Sequence, residues 1–269
     1  LELLRKRLFP GNTVVVIMTA DGGVEMAVEA MKLGAADYLT KPFDFEELPL
    51  VFERARREVK SARIDEFRIE GEESGDGLFF GGRLESLKEQ LERILEAESR
   101  LSSNPPPVLI AGETGTGKTS IARWLHRHGR RAKRPLVEVN CSALPESLAE
   151  SELFGHERGA FTDARSARMG LFEAADGGTL FLDEIPSLSA SIQAKVLTAI
   201  EDRKIRRIGG NREIEVDVRL ISATNRDLRD LVQKGAFRED LYHRLDLLRI
   251  ALPPLRSNPQ EVFPLAQHL

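Results

Sequence analysis

The stretch GETGTGKT, from Gly112 to Thr119, lies between the apolar run PVLIA, which predicts a strand, and SIARWLHRH, which predicts a helix. It fits the pattern G-x-x-x-x-G-K-[ST], in which glycines let the backbone wrap closely around a polyphosphate with its N–H groups pointing inward. The N-terminus of the following helix adds the positive end of its dipole. A strand, a glycine-rich loop and a helix in this order predict a nucleotide-binding loop in an α/β fold.

Two side chains of this loop have predicted roles in holding the nucleotide. Lys118 would bind the β- and γ-phosphates as a point charge, and the hydroxyl of Thr119 would coordinate Mg²⁺. The predicted cofactors are therefore ATP and Mg²⁺. The predicted nucleotide-binding residues of the loop are Gly112, Glu113, Thr114, Gly115, Thr116, Gly117, Lys118 and Thr119.

A pair of carboxylates is predicted at the tip of a neighbouring buried strand, TLFLDE, which ends in Asp183 and Glu184. Two charges at such a position are costly unless a cation meets them. Asp183 fits a water-mediated contact to Mg²⁺, and Glu184 fits a base that polarises the attacking water. Asp183 alone would serve a binding module, so the second acid favours a Mg²⁺-dependent ATPase. The alternative is that both acids merely end a strand at the surface.

Composition limits the classes of protein to which the chain can belong. Its 269 residues, 41% hydrophobic and 30% charged, are typical of a globular protein with about two domains. The formal net charge of −4 argues against nucleic-acid binding through the overall field of the chain. A single cysteine, Cys141, excludes an internal disulfide framework, and the apolar run VVVIM is too short for a membrane span. These features predict a cytoplasmic protein with no membrane partner.

Strand-like and helix-like runs alternate in two segments that an acidic, glycine-rich stretch, EGEESGDG, separates. Such alternation predicts parallel sheets with helices on their faces. The expected boundaries are a first α/β segment at 1–60, a linker at 61–78 and a second α/β domain at 79–269. The expected strands cover 14–17, 37–39, 107–111, 135–140, 178–184 and 218–225, and the expected helices include 24–33 and 84–97.

A further helix begins near Phe45 and extends toward the linker. Its apolar residues recur at three- and four-residue spacing, with charged residues between them. This pattern fits either a seam for a partner helix or contacts with its own domain. The apolar positions are Leu48, Val51, Phe52, Ala55, Val59 and Ala62.

The stretch GAFTDA places one phenylalanine, Phe161, among small residues without helical or strand periodicity. A single Phe in a loop usually folds back onto the core. The alternative is an exposed ring that contacts a partner. The six residues alone leave both interpretations open.

Together these stretches resemble the NtrC-type response regulators, AAA+ ATPases that activate transcription by sigma-54 RNA polymerase. The matching runs are GETGTGKT, VNCSALPESLAESELFGHERGAFTDA, AADGGTLFLDEI, IRRIGG, VDVRLISATNRDL and FREDLYHRL. The upstream run VVVIMTADGGVEMAVEAMKLGAADYLTKPFD looks like the second half of a CheY-like receiver domain, with Thr19 and Lys41-Pro42 at its switch and phosphate-contact positions. The resemblance implies a partial receiver at 1–60 and a P-loop AAA+ α/β domain with a parallel sheet at 79–269.

The resemblance implies a motor in which ATP hydrolysis moves a loop that contacts sigma-54 and remodels the closed promoter complex. The family's loop reads Gly-Ala-Phe-Thr-Gly-Ala, so the implied partner-binding residues are Gly159, Ala160, Phe161, Thr162, Asp163 and Ala164. Asp163 stands where the family has glycine and puts a carboxylate beside the contact residue. Two hypotheses follow: an activator of sigma-54 RNA polymerase holoenzyme, or an AAA+ regulator that hydrolyses ATP without engaging sigma-54.

Further residues take roles from the resemblance one at a time. Asn140 matches a switch residue that holds Glu184 away from water, although an Asn capping the next turn is the plainer alternative. Thr224 and Asn225 match the sensor of the γ-phosphate. Arg238 and Arg244 match arginine fingers that complete a neighbour's site, which requires a homo-hexamer or heptamer. 

Two smaller predictions concern the base of the GAFTDA loop and metal binding. His156 and Glu157 are expected to brace the base of the loop, with Glu157 paired to Arg207. None of the five histidines has metal-ligand spacing, so no zinc site is predicted.

Several functional parts are expected outside the chain. The phospho-accepting Asp of the receiver, which a cognate sensor kinase would modify, would lie upstream of Leu1. A lid subdomain and the helix-turn-helix that binds enhancer DNA would follow Leu269. The closing run LRSNPQEV has Asn258 and Pro259 in place of the family's Arg-x-Arg continuation, which leaves nucleotide contacts from that corner open.

Overall fold

The structure, a computed structural model, contains a two-stranded parallel pair, a five-stranded parallel sheet and two small antiparallel pairs. It describes residues 15–20, 24–43, 48–53, 60–61, 78, 84–101, 105–162 and 164–268. None of the helices within these ranges has the length and apolar character needed to cross a membrane.

The first segment contains β1 (Val16–Thr19), α1 (Val24–Lys32) and β2 (Asp37–Thr40). The two strands pair in parallel with Thr19 opposite Thr40. The N–H of Lys41 donates to the carbonyl oxygen of Thr19 at 2.7 Å. The expected strand–helix–strand order is confirmed, and Thr19 and Lys41 lie together at the carboxyl edge of the pair.

The helical turn at 48–53 carries three of the apolar positions at which a seam is predicted, Leu48, Val51 and Phe52. Val51 is buried, whereas Phe52 is 59% exposed. Ala55, Val59 and Ala62 lie outside the described residues. The choice between a partner-helix seam and packing on the same domain therefore stays a prediction.

The rest of the chain continues the alternation of strands and helices. The strands are β3 (Val108–Gly112), β4 (Leu136–Asn140), β5 (Gly155–His156), β6 (Arg168–Met169), β7 (Thr179–Asp183), β8 (Lys204–Arg206), β9 (Glu213–Glu215), β10 (Arg219–Thr224) and β11 (Leu248–Leu252). The helices are α2 (Leu84–Arg100), α3 (Lys118–His128), α4 (Glu146–Phe154), α5 (Leu171–Ala174), α6 (Ala190–Glu201), α7 (Leu228–Gln233), α8 (Glu239–Leu245) and α9 (Val262–His268). Short 3-10 turns lie at Ile185–Ser187, Leu255–Ser257 and Pro259–Glu261.

The large sheet has the strand order β11-β3-β10-β7-β4 and is parallel throughout. Asn140 lies opposite Asp183, Thr224 opposite Ala111, and Leu252 opposite Gly112. The carboxyl ends of these strands therefore share one edge of the sheet. The sheet predicted for the second domain is confirmed, and its order brings separate stretches of sequence to that edge.

Both faces of the large sheet are covered, which is why its strands read as continuous apolar runs. In β7, Leu180 and Leu182 point to one face and Phe181 to the other, and all three are at most 1% exposed. Helices α2 and α3 pack on the Phe181 side. Helices α4, α5, α6 and α8 pack on the side of Leu180.

A buried ion pair closes the amino edge of the sheet. Arg219, the first residue of β10, donates from Nη2 to Glu98 Oε1 at 2.7 Å and from Nη1 to the Leu125 carbonyl at 2.9 Å. The two charged side chains are 2% and 4% exposed. Burial raises the pKa of Glu98 and lowers that of Arg219, and the opposite charge counters both shifts. The pair joins helix α2 to the sheet.

Two antiparallel hairpin pairs, β5–β6 and β8–β9, add structure that the helix and strand patterns did not predict. His156 of β5 forms a parallel bridge with Ile208, which follows β8. The bridge brings the two pairs together beside the stretch GAFTDA. Strands of two or three residues show too short a pattern to be recognised in a sequence.

Candidate active site

The predicted site residues converge at the carboxyl edge of the large sheet. Gly112, Asn140, Asp183 and Thr224 are the last residues of β3, β4, β7 and β10. Parallel pairing places the end of β10 between those of β3 and β7. Crevices at this edge are where open α/β sheets bind their ligands.

The glycines of the phosphate loop serve two different physical needs. Gly115 and Gly117 have φ of 81° and 87°, the left-handed region that favours glycine, and a Cβ there would meet nothing within 4 Å. At Gly112 the limit is space, since a Cβ would lie 2.7 Å from Thr116 Oγ1 and 3.0 Å from the Cβ of Leu252. Backbone conformation and close packing both explain the motif.

The lysine of the loop is buried and points back into it. Lys118 is 6% exposed, and its Nζ donates to the carbonyl oxygens of Gly112 and Glu113 at 2.9 and 3.0 Å. The same nitrogen lies 3.9 Å from Glu184 Oε1. A cation and a carboxylate thus face each other at the loop. Phosphate oxygens there would replace backbone carbonyls as the partners of the ammonium group.

Glu184 is held toward the loop by an unusual backbone conformation. Its φ of 52° and ψ of 49° lie in the left-handed region, which a non-glycine residue adopts at a cost of about 1 kcal/mol or more. Its N–H donates to Asp183 Oδ1 at 3.0 Å, and its side chain is 16% exposed.

Asn225 connects the carboxylate strand to the phosphate loop. Its backbone N–H donates to Glu184 Oε2 at 3.4 Å, and its side-chain amide donates to Thr114 Oγ1 at 3.3 Å. The neighbouring Thr224 turns elsewhere, because its hydroxyl donates to the Arg226 carbonyl and accepts from the Arg226 N–H. Of the two predicted sensor residues, Asn225 is the one whose side chain contacts the loop.

Asn140 forms the turn-capping contact that was the plainer alternative. Its Oδ1 accepts from the N–H of Ser142 at 2.9 Å and from the Ser142 hydroxyl at 2.7 Å. The side-chain oxygen of Asn140 thereby accepts a hydrogen bond from a backbone N–H of the turn that follows β4. The residue lies opposite Asp183 in the sheet, next to Glu184, so the switch role stays a prediction.

The two predicted arginine fingers contact residues other than those of the phosphate loop in the part of the chain that the structure describes. Arg238 forms a bidentate ion pair with the Asp240 carboxylate, with N–O distances of 2.6 and 3.0 Å, and its side chain is 42% exposed. Arg244 lines a cavity of about 410 Å³ together with Pro107 and Val218, which precede β3 and β10. Its Nε is buried without a hydrogen-bond partner in the described structure. Arg244 therefore lies toward the opposite edge from its own phosphate loop.

The ring of Phe161 folds partly back onto the protein. It packs edge-on against His156, with ring centroids 4.9 Å apart, and stays 38% exposed. The Gly159 N–H donates to the Ala164 carbonyl and the Ala164 N–H to the Phe161 carbonyl, which closes a tight loop. Asp163 lies outside the described residues.

The base of the loop is braced by residues far away in sequence. Arg207 Nη1 donates to Glu157 Oε1 at 3.2 Å, so the predicted pair is confirmed. Arg207 also forms two hydrogen bonds of 2.8 Å with Glu173, which the sequence pattern did not predict. The hydrogen bonds that Arg207 donates to Glu173, together with the negative charges of Glu173 and Glu157, raise the pKa of Arg207. His156 is anchored by Ser151, with Nδ1 2.7 Å from Oγ, as expected of a brace.

The donor set of the site fits a magnesium ion. Thr119, in the first turn of α3, carries a hydroxyl, and Asp183, at the end of β7, carries a carboxylate. Hydroxyl and carboxylate oxygens are the ligands that Mg²⁺ takes beside substrate phosphates. Within the described residues, no group of three or more His, Cys, Asp or Glu side chains could hold a metal by itself.

This strand order, with the phosphate loop after β3 and the carboxylates after β7, defines a P-loop AAA+ domain. A family model described as the Sigma-54 interaction domain matches residues 84–251. A second, described as the response regulator receiver domain, matches residues 1–53. The chain therefore belongs to the NtrC-type sigma-54-dependent response regulators.

Named relatives share sequence with nearly the whole chain. Regulatory protein AtoC of Escherichia coli K12 is 47% identical over 96% of the chain and 55% of its own length. The DNA-binding transcriptional regulator NtrC of the same organism is 44% identical over 94% of the chain and 53% of its length. The chain spans just over half of these relatives.

A solved structure shares the fold. NtrX from Brucella abortus, crystallised in complex with ATP, is 32% identical and has a TM-score of 0.60. The match covers 99% of this chain and 58% of the NtrX chain. 

Proposed function

We propose that this chain is an ATP-hydrolysing activator of sigma-54 RNA polymerase, under the control of its receiver segment. The observation that carries the catalytic part is the convergence of Lys118, Glu184 and Asn225 on the phosphate loop. A cation for the phosphates, a carboxylate for water and an amide between them are the groups that hydrolysis of a phosphoanhydride requires. The ATP complex of the NtrX relative supports the choice of nucleotide.

The chain's own residues would divide the work. The loop N–H groups and Lys118 bind the phosphates, and Asn225 orients the carboxylate of Glu184 by its backbone N–H. Glu184 accepts the proton of the attacking water. Mg²⁺, held through Thr119 and Asp183, would neutralise the charge that develops on the phosphate oxygens.

Hydrolysis would be completed by a neighbouring copy of the chain in a hexamer or heptamer. Arg244 lies toward the amino edge of its own sheet, and Arg238 is exposed at the start of α8. Arg238 pairs with Asp240 and Arg244 lines a cavity at the amino edge, and such placement suits residues that serve another subunit. A guanidinium supplied in trans accelerates phosphoryl transfer by about 10³ to 10⁵ in other enzymes.

The regulatory and partner-binding parts follow from the family. We propose boundaries at 1–60 for the receiver portion, 61–78 for the linker and 79–269 for the AAA+ domain. A cognate sensor kinase would act on the receiver, and enhancer DNA would be bound by a helix-turn-helix. Phe161 would contact sigma-54 after release from His156.

Two variants of the phosphate site test the catalytic proposal. Lys118→Ala should abolish binding of an ATP analogue, because the phosphates lose their buried cation, as measured by calorimetry. Glu184→Gln should retain binding of the analogue, and its rate of phosphate release should fall by a factor of about 10² or more, because the general base is removed. Equal ATP affinity in the wild type and in Lys118→Ala would refute the site.

A second candidate function rests on Asp163, which replaces the glycine of the family loop. A carboxylate beside Phe161 would oppose the contact with sigma-54, and the protein would then hydrolyse ATP without driving promoter opening. Abortive transcription from a sigma-54 promoter with the wild type and with Asp163→Gly separates the two. Activity in the variant alone favours the second candidate, and activity in both favours the first.

A further inference from the structure

The phosphate loop carries a carboxylate of its own, at Glu113. A loop that binds a polyanion gains nothing from a negative side chain, so a group nearby must compensate for it. That group is Arg256, whose two Nη atoms each lie 2.5 Å from an oxygen of Glu113. This bidentate geometry, with two parallel N–H···O bonds, is the strong form of an arginine–carboxylate contact.

Glu113 also contacts the phosphate-binding lysine. Its backbone carbonyl accepts from Lys118 Nζ at 3.0 Å and from Thr116 Oγ1 at 2.8 Å. The residue therefore joins the loop to Lys118 by its carbonyl and to Arg256 by its side chain. A hydrogen bond from Arg256 lowers the pKa of Glu113, so the carboxylate is ionised at neutral pH.

Arg256 is brought to the loop by the edge strand of the sheet. Strand β11 pairs with β3, with Leu252 opposite Gly112, and the 3-10 turn Leu255–Ser257 follows directly. The contact spans 143 residues of sequence. Both side chains are solvent-exposed, at 71% and 51%, so the pair contributes little to stability.

We infer that Arg256 is a positioning residue for the nucleotide: it neutralises the carboxylate of Glu113 and thereby sets the affinity of the loop for polyphosphates. The inference rests on the proposed nucleotide-binding function and adds a residue to it. The inference predicts opposite effects on nucleotide affinity when Arg256 and Glu113 are replaced. Loss of Arg256 exposes a negative charge to the phosphates, whereas loss of the Glu113 charge leaves a free cation beside them.

Calorimetric binding of ADP and of a non-hydrolysable ATP analogue tests this asymmetry. Arg256→Ala should weaken binding about three- to tenfold, and Glu113→Gln should tighten it about two- to threefold. The double variant should fall between the two single variants. Both effects should shrink between about 0.05 M and about 0.5 M NaCl, because salt screens exposed charges.

Arg256→Lys is the matched control, since it keeps the positive charge and loses the bidentate hydrogen bonding. It should retain most of the affinity. Weaker or unchanged binding by Glu113→Gln, or a loss in Arg256→Lys as large as in Arg256→Ala, overturns the inference and makes the pair a structural tie. A wild-type chain that binds neither ligand would instead refute the proposed function, and with it the basis of this inference.

Discussion

His126 is buried at the amino edge of the large sheet, where a charge is hard to accommodate. It is 5% exposed, and its Nδ1 lies 2.9 Å from Thr179 Oγ1. Burial, and then the cation of Arg219, lower its pKa to about 4 from an ordinary value of 6.5. The folded protein therefore keeps this ring neutral at a pH at which the unfolded chain protonates it.

The free energy of unfolding should consequently fall as the pH decreases from the ordinary pKa of histidine toward the lowered pKa of His126. Between about pH 6.5 and pH 4 the unfolded state binds the additional proton, which costs about 2 kcal/mol of stability from pH 7 to pH 5. Urea unfolding at both pH values measures the loss. His126→Gln cannot titrate and should lose about 2 kcal/mol less over the same interval. An identical pH dependence in both proteins would contradict this assignment.

At the scale of elements, the hairpin pair β5–β6 is formed by a close crossing of two backbones. A Cβ on Gly170 would lie 2.3 Å from the carbonyl carbon of Phe154 and 2.4 Å from the nitrogen of Gly155. These are backbone atoms, which cannot move away cheaply. The loop that carries Phe161 lies between the two strands of this pair, so the crossing determines where the loop begins and ends.

Gly170→Ala should therefore destabilise the protein by about 2 to 3 kcal/mol, as overpacking does in a dense core. Gly235→Ala is a suitable control, because its φ of 67° is strained for alanine but no atom lies within 4 Å of the added Cβ. The control should lose about 1 kcal/mol. Urea midpoints of the two variants make the comparison, and equal losses would show that the crossing is looser than described.

At the scale of the whole molecule, the proposed assembly predicts complementation between inactive variants. Glu184→Gln keeps its arginines and lacks the base, whereas Arg238→Ala keeps the base and lacks an arginine. If arginines act on a neighbouring subunit, a mixture of the two should hydrolyse ATP faster than either protein alone. Phosphate release at several total concentrations provides the measurement.

The concentration series also contains the result that would contradict ring formation. Turnover per chain should rise with wild-type concentration until assembly saturates. A constant turnover per chain, together with a mixture no faster than the mean of its components, would place the whole catalytic apparatus within one subunit.

The phosphate loop and the pair Asp183 and Glu184 could be predicted from sequence, because each is contiguous and has a local physical requirement. Left-handed backbone at Gly115 and Gly117 requires glycine, and charges at the tip of an apolar strand are conspicuous. The parallel sheet followed in the same way from alternating patterns. Family resemblance extended this to the loop around Phe161.

Only the tertiary structure decided which distant groups meet. Arg256 contacts Glu113, Arg207 contacts Glu173, and the Arg219–Glu98 pair is buried, across separations of 143, 34 and 121 residues. No local pattern marks such pairs, because their partners are chosen by strand order and by the requirement that buried or opposed charges be compensated. Sequence alone determined that a polyphosphate site exists; packing of the sheet and its hairpins determined which charges surround it.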